Sequence, residues 1–221
     1  PGAPATDAST TSFNQATDIR LEGVTLETTV PNKGLILENC KDSVFRDVEV
    51  TGPWVSGNAV ALTDVGIEMN SLSGTVETKN NIFENCKVSG YSYGISSDWD
   101  IHNNMWDNCS FASCSYGFAF GTTLNTLNSL AGSGQEKGPY NNTISNSRFD
   151  DINRHAIWSK FGTLNSSSNN SYVKVGTEGA AEFQATHSVI KYEKPGNSSI
   201  GDYFARTAVL SYTPGYWISY A

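Results

Sequence analysis

The chain has 221 residues, 16% of them charged, with a net charge of −8 and a pI near 4.8. Its 14 Lys and Arg are scattered rather than gathered into a stripe that could track phosphates, and no run approaches 18 apolar residues. Nucleic-acid binding and membrane insertion are therefore not expected. Polarity comes from 27 Ser, 20 Thr and 21 Asn, with 20 Gly. Ser, Thr and Asn compete with the helix backbone for its hydrogen bonds, and Gly weakens helix interiors, so helical bundles are disfavoured. Five Trp, ten Tyr and ten Phe supply large groups to bury. The expected class is all-β.

Residues 1–16 read as a lead-in, opening at Pro1 without a Met, as in a processed chain or an excerpt of a longer one. From residue 17 a six-residue unit recurs: apolar, polar, Asn-like, small or apolar, polar, apolar. It reads Leu21-Glu22-Gly23-Val24-Thr25-Leu26, then Phe45-Arg46-Asp47-Val48-Glu49-Val50. Next come Phe83-Glu84-Asn85-Cys86-Lys87-Val88, Trp106-Asp107-Asn108-Cys109-Ser110-Phe111 and Ile144-Ser145-Asn146-Ser147-Arg148-Phe149. A degraded sixth reads Ser168-Asn169-Asn170-Ser171-Tyr172-Val173. Unit starts are 23 or 24 residues apart, except for two steps of 38. A fixed period with strand-like alternation signals a solenoid.

The third position holds Gly23, Asp47, Asn85, Asn108, Asn146 and Asn170. These residue types tolerate the left-handed conformation that bends the chain between two short strands. Stacked coils would align the Asn side chains in a ladder. A return strand is expected in each coil: Gly34-Leu35-Ile36-Leu37, Ala59-Val60-Ala61-Leu62, Gly94-Ile95-Ser96, Gly117-Phe118-Ala119-Phe120 and Ala156-Ile157-Trp158. The apolar ends of the unit form two inward columns, and Val24, Val48, Cys86, Cys109, Ser147 and Ser171 a third of small groups. Cys86 and Cys109 are read as buried thiols, since free Cys packs as a small hydrophobe, with a disulfide between adjacent coils as the alternative.

This coil pattern resembles the right-handed parallel β-helix of the pectate-lyase-like superfamily, shared by polysaccharide lyases, hydrolases and phage tailspikes. The resemblance covers residues 17–175, about six coils, and implies a fold rather than an activity. The family's enzymes carry clustered calcium-binding Asp with an Arg base, or Asn-Thr-Asp, an Asp pair and Gly-His-Gly; none of these signatures occurs here. Arg154-His155 reads as part of a turn.

The two long steps imply insertions, at about Thr63–Thr78 and Thr122–Pro139, both leaving one edge of the solenoid. Between them falls the turn carrying Asp98, Trp99, Asp100 and His102. These four are the candidate ligand-binding residues, expected in a groove walled by the two loops, because loops on a rigid scaffold carry function. Asp98 and Asp100 are the candidate catalytic carboxylates for glycoside hydrolysis, and Trp99 could stack on a sugar. Ordinary turn chemistry explains Asp at these positions equally well. No cofactor motif and no metal-ligand spacing is found among the Cys and His.

Residues 176–221 lose the pattern and hold five Tyr, Trp217 and two Pro. They are expected to cap the solenoid or to mediate self-association. The stretch from Ile190 to Tyr216 resembles segments in structural proteins of tailed phages. The resemblances together imply a virion structural protein: a tail-fibre, tailspike or baseplate-associated β-helix. Such a protein would be a homotrimer contacting other virion proteins and host surface polysaccharide. The alternatives are a secreted polysaccharide lyase or hydrolase and a surface adhesin on the same scaffold.

Overall fold

A computed structural model describes residues 10–56, 58–71, 77–97, 100–121, 138–176, 189–194, 196–205 and 218–220. Among them there is no helix, and every ladder is parallel. The strands wind into a right-handed parallel β-helix with three faces.

The first face stacks seven strands, from Arg20–Glu22 through Val44–Arg46, Ile82–Glu84, Met105–Asp107, Thr143–Ser145 and Ser166–Ser168 to Ser198–Ile200. The second face also has seven, from Thr25–Glu27 to Tyr203–Ala205. The third, the return face, has eight, from Thr11–Asn14 to Ile218–Tyr220. A short ladder between Thr78–Lys79 and Ile101–His102 forms at the corner leading back to the first face.

The core is built from the columns of the repeat. Phe45, Phe83 and Trp106 stack along the first face with ring centroids 4.8 and 5.2 Å apart. On the second face Phe111, Phe149, Tyr172 and Phe204 stack at 4.9 to 5.0 Å. These spacings follow from the strand separation of a sheet, about 4.8 Å, which places like rings in offset-stacked contact. The return face contributes Leu35, Ile67, Ile95, Phe118, Ile157 and Ile190 in one register. Beside them runs a column with no side chains: Gly34, Gly66, Gly94 and Gly117. A Cβ on Gly94 would stand 2.7 Å from the Gly117 carbonyl oxygen, and one on Gly117 2.6 Å from that of Ala156. In these four coils the inside closes tightly and only glycine fits, whereas the next two coils carry Ala156 and Val189 in the same column.

The four Cys are free and buried. The Cys86 and Cys109 thiols donate to the carbonyls of Phe45 and Phe83 in the preceding coil, at 3.4 and 3.5 Å.

Four expectations need correction. The return strand of the second coil is Val65–Asn70, not Ala59–Leu62. Leu35 pairs with Ile67 and Glu38 with Asn70. The added residues of that coil thus fall on both sides of its return strand. Those before it lie across the outside of the return face. There Val60 packs on a cluster containing Val65, Tyr93 and Tyr116, and Ser56 Oγ accepts from Asn153 Nδ2 three coils on.

The sixth unit is shifted by one residue. Ser167 pairs with Ile144 and Tyr172 with Phe149, so Asn169 takes the left-handed bend and Asn170 turns inward in place of Ser171. The run of polar residues there offered no apolar residue to set the phase.

The solenoid also continues beyond residue 175. Ser199-Ile200-Gly201-Asp202-Tyr203-Phe204 is a seventh unit, with Gly201 at the bend and Phe204 on the aromatic stack. At the other end Thr11–Asn14, inside the presumed lead-in, already pairs with the return face.

Candidate functional site

Two bends, one at each end of the first face, turn through left-handed residues that align from coil to coil. The bend between the first and second faces uses Gly23, Asp47, Asn85, Asn108, Asn146, Asn169 and Gly201. The bend between the return and first faces uses Asp18, Asp42, Asn80, Asn103, Asn141, Leu164 and Gly196. After the second bend comes a ladder that the sequence reading missed: Asn81, Asn104, Asn142, Asn165 and Asn197, all buried. Each Oδ1 accepts from the backbone N–H of the equivalent residue one coil earlier, at 3.0 to 3.2 Å, beginning at Ser43. Their Nδ2 groups donate along the ladder and to carbonyls such as those of Cys40 and Ile101. The signal was present as an Asn two residues upstream of units three to seven. The third-position side chains expected to form the ladder instead lie at the surface and make a looser one. Asn108 donates to Asn85 at 3.5 Å, whereas Asn146 reaches Asp107 at 2.6 Å.

Beside the buried Asn ladder, one outer register runs Thr17, Lys41, Lys79, His102, Tyr140 and Thr163. Its middle carries the chemistry. His102 is 6% exposed, and its ring stacks on Tyr140 with centroids 4.5 Å apart and planes 10° from parallel. Neither ring nitrogen has a hydrogen-bond partner, although Nε2 stands 3.4 Å from Glu77 Oε1. Asp100, held at φ 41° in the preceding turn, has a buried Oδ1 that is also unpartnered. One donor atom each of Glu77, Asp100 and His102 lies within 4.8 Å of the others.

The other Glu77 oxygen, Oε2, accepts from Lys79 Nζ at 2.5 Å. That hydrogen bond holds the Glu77 carboxyl below the usual range, against the opposing effect of burial. Tyr140 is shifted up, first by burial and then by the charges of Asp100 and Glu77.

Of the four residues expected at the site, the structure brings Asp100 and His102 together. Asp98 and Trp99 lie outside the described residues, as does 122–137, which includes most of the second expected loop. Of the first insertion, Val65–Asn70 is the return strand and Glu77 reaches the site, while 72–76 lie outside the described residues. Glu77 and Tyr140 were missed. Both sit in irregular segments, where only the register of a neighbouring coil could have placed them beside His102.

No family profile matches the chain, and no curated protein matches it. Among solved structures it is similar to the enzymatically active domain of tailspike protein 2 of bacteriophage CBA120, with a TM-score of 0.42 and 13% identity. The match covers 90% of this chain and 39% of that one, so the chain spans well under half of the structure it resembles.

Proposed function

We propose that the chain is the solenoid of a virion structural protein of a tailed phage, a tail fibre, tailspike or baseplate-associated protein that contacts host surface polysaccharide. The observation that carries the contact is the corner of Glu77, Asp100, His102 and Tyr140. It places half-buried carboxylates and an aromatic ring side by side on a rigid wall, the combination that binds sugar hydroxyls and sugar faces. The class of protein rests on the resemblance of the coil pattern to phage β-helices. Trimeric assembly, contacts with other virion proteins and location in the extracellular particle belong to this reading.

The test is binding of the purified chain to host surface polysaccharide, with Tyr140→Ala and Asp100→Asn measured beside it. Loss of binding in both variants, with the β-sheet circular dichroism retained, supports the reading. Equal binding by both variants removes this corner as the contact. Light scattering in solution tests the assembly: a trimer supports the fibre reading, and a monomer at high concentration overturns it.

A second reading, a secreted polysaccharide lyase or hydrolase, is favoured by one observation. Glu77 and Asp100 place two carboxylates at one corner, their donor oxygens within 4.8 Å of each other, and glycoside hydrolysis uses such a pair. Release of reducing ends from acidic polysaccharides, abolished by Glu77→Gln, would support it.

A further inference from the structure

We infer that Glu77, Asp100 and His102 form a binding site for a borderline divalent transition-metal ion of the Zn²⁺ or Co²⁺ class. This goes beyond the polysaccharide reading and does not depend on it.

Three donors from two neighbouring coils converge here: one carboxylate oxygen from each acid and one imidazole nitrogen. Two of the groups are left in a condition that folding alone does not explain. His102 is more than nine-tenths buried, yet both of its nitrogens lack a hydrogen-bond partner. The buried Oδ1 of Asp100 lacks one as well. Burying such groups without partners costs about 1–3 kcal/mol each. The adjoining Asn ladder, by contrast, bonds every one of its amides. Other buried polar atoms without a partner, such as Ser97 Oγ and Trp106 Nε1, are single atoms, whereas here three meet at one corner. A cation seated among the three donors would satisfy Asp100 Oδ1 and one His102 nitrogen at once.

The donor set selects the ion. Imidazole suits Zn²⁺, Co²⁺ and their neighbours, whereas Ca²⁺ and Mg²⁺ take oxygen ligands and more of them. In tetrahedral coordination, ligands at about 2.1 Å from one ion stand about 3.4 Å apart. His102 Nε2 and Glu77 Oε1 are already 3.4 Å apart. The 4.8 Å limit on the whole set leaves at most about 1.4 Å to close, by side-chain rotation at Glu77 and Asp100. Three protein ligands leave a coordination position for water, as in open zinc sites. Stacking against Tyr140 fixes the plane of the His102 ring, so less freedom is lost on ligation. One group opposes the ion: Lys79 places its ammonium on Glu77 Oε2, leaving Oε1 to face His102.

That opposition gives the test its sharpest arm. The untagged full-length chain, stripped with chelator, is titrated with Co²⁺ while the visible d–d absorption is followed, then with Zn²⁺ in competition. The expected result is one Co²⁺ per chain, displaced by Zn²⁺ and not by a large excess of Ca²⁺ or Mg²⁺. His102→Ala should abolish the signal. Asp100→Asn and Glu77→Gln should each weaken binding about 10- to 100-fold, the range found when even the supporting shell of a metal site is disturbed. Lys79→Met should tighten it.

Circular dichroism checks the fold of every variant. Should His102→Ala fail to fold, Glu77→Gln decides, because Glu77 is 29% exposed and contributes little to packing. The inference is overturned if Co²⁺ gives no d–d signal, if the signal survives in a folded His102→Ala, or if a folded Glu77→Gln binds as tightly as the parent chain. Because no polysaccharide is present, a failure here leaves the proposed function standing, and the reverse also holds.

Discussion

The two bends that flank the first face solve the same geometric problem with different side chains. Both place a left-handed residue at the surface and follow it with one that turns inward. At the bend entering the first face the inward residue is an amide in five successive coils, and each amide bonds the backbone of the coil before. At the bend leaving it the inward series changes along the stack: Val48, Cys86, Cys109, Ser147, Asn170 and Asp202. Polar acceptors for the backbone enter this series at Ser147, whose Oγ takes the Cys109 N–H at 3.0 Å. Asn170 and Asp202 then do the same for Ser147 and Asn170. The left-handed bend is thus the common requirement. What fills the space inside it can be apolar, thiol or amide, provided that any buried backbone group it faces is satisfied.

Removing an inner amide should have the largest effect. Asn142→Ala strips acceptors from the Asn104 backbone and side chain and donors from Ile101 and Asn165. A loss of about 3 kcal/mol is expected, since several buried groups are orphaned together. Urea unfolding would measure it, and a loss below that of a surface substitution would break the distinction between the bends.

Changing an outer residue should cost less and depend on backbone alone. Asn146→Ala at φ 51° should destabilise by about 1 kcal/mol, the penalty of a Cβ in the left-handed region. Asn146→Gly should restore most of that loss. Equal losses for Ala and Gly would show that the side-chain bond to Asp107, not the bend, is what matters. At the variable series Cys86→Ser keeps shape and donor, and a change below about 1 kcal/mol is expected.

The smallest effect is a slope with pH. Away from the bends, Asp64 carries a carboxyl into the return face, 1% exposed and bonded by the Ser92 N–H and hydroxyl. Burial raises its pKa more than Ser92 lowers it. Just above the ordinary carboxylate range the folded chain therefore holds a proton that the unfolded chain has released. Stability falls as pH rises through that window and levels off above the folded pKa. Asp64→Asn should flatten this part of the profile, and a profile unchanged by the substitution would count against a raised pKa.

Much of this fold was legible because its columns recur with strong contrast. Phe45, Phe83, Trp106 and Phe111 fixed the phase of their units, and Asn85 and Asn108 marked their bends. Legibility failed where contrast failed. Among Ser166 to Ser171 no apolar residue anchors the phase, so the bend was placed at Asn170 rather than Asn169. In the second coil Ala59-Val60-Ala61-Leu62 is the more apolar run, yet Val65-Gly66-Ile67 carries the glycine that the closed interior demands. Half of the site could be read for a related reason. Asp100 and His102 are close in sequence. Glu77 and Tyr140 reach them only through ladder pairing, which depends on loop lengths that the repeat does not encode.

The register of Thr17, Lys41, Lys79, His102, Tyr140 and Thr163 acts as a ruler. Successive marks stand about 4.8 Å apart, fixed by hydrogen bonds between strands rather than by the side chains themselves. A substitution at one mark alters the chemistry presented there without moving its neighbours. Specificity along this edge can therefore be rewritten one position at a time, while the scale against which a long polymer would be measured stays constant.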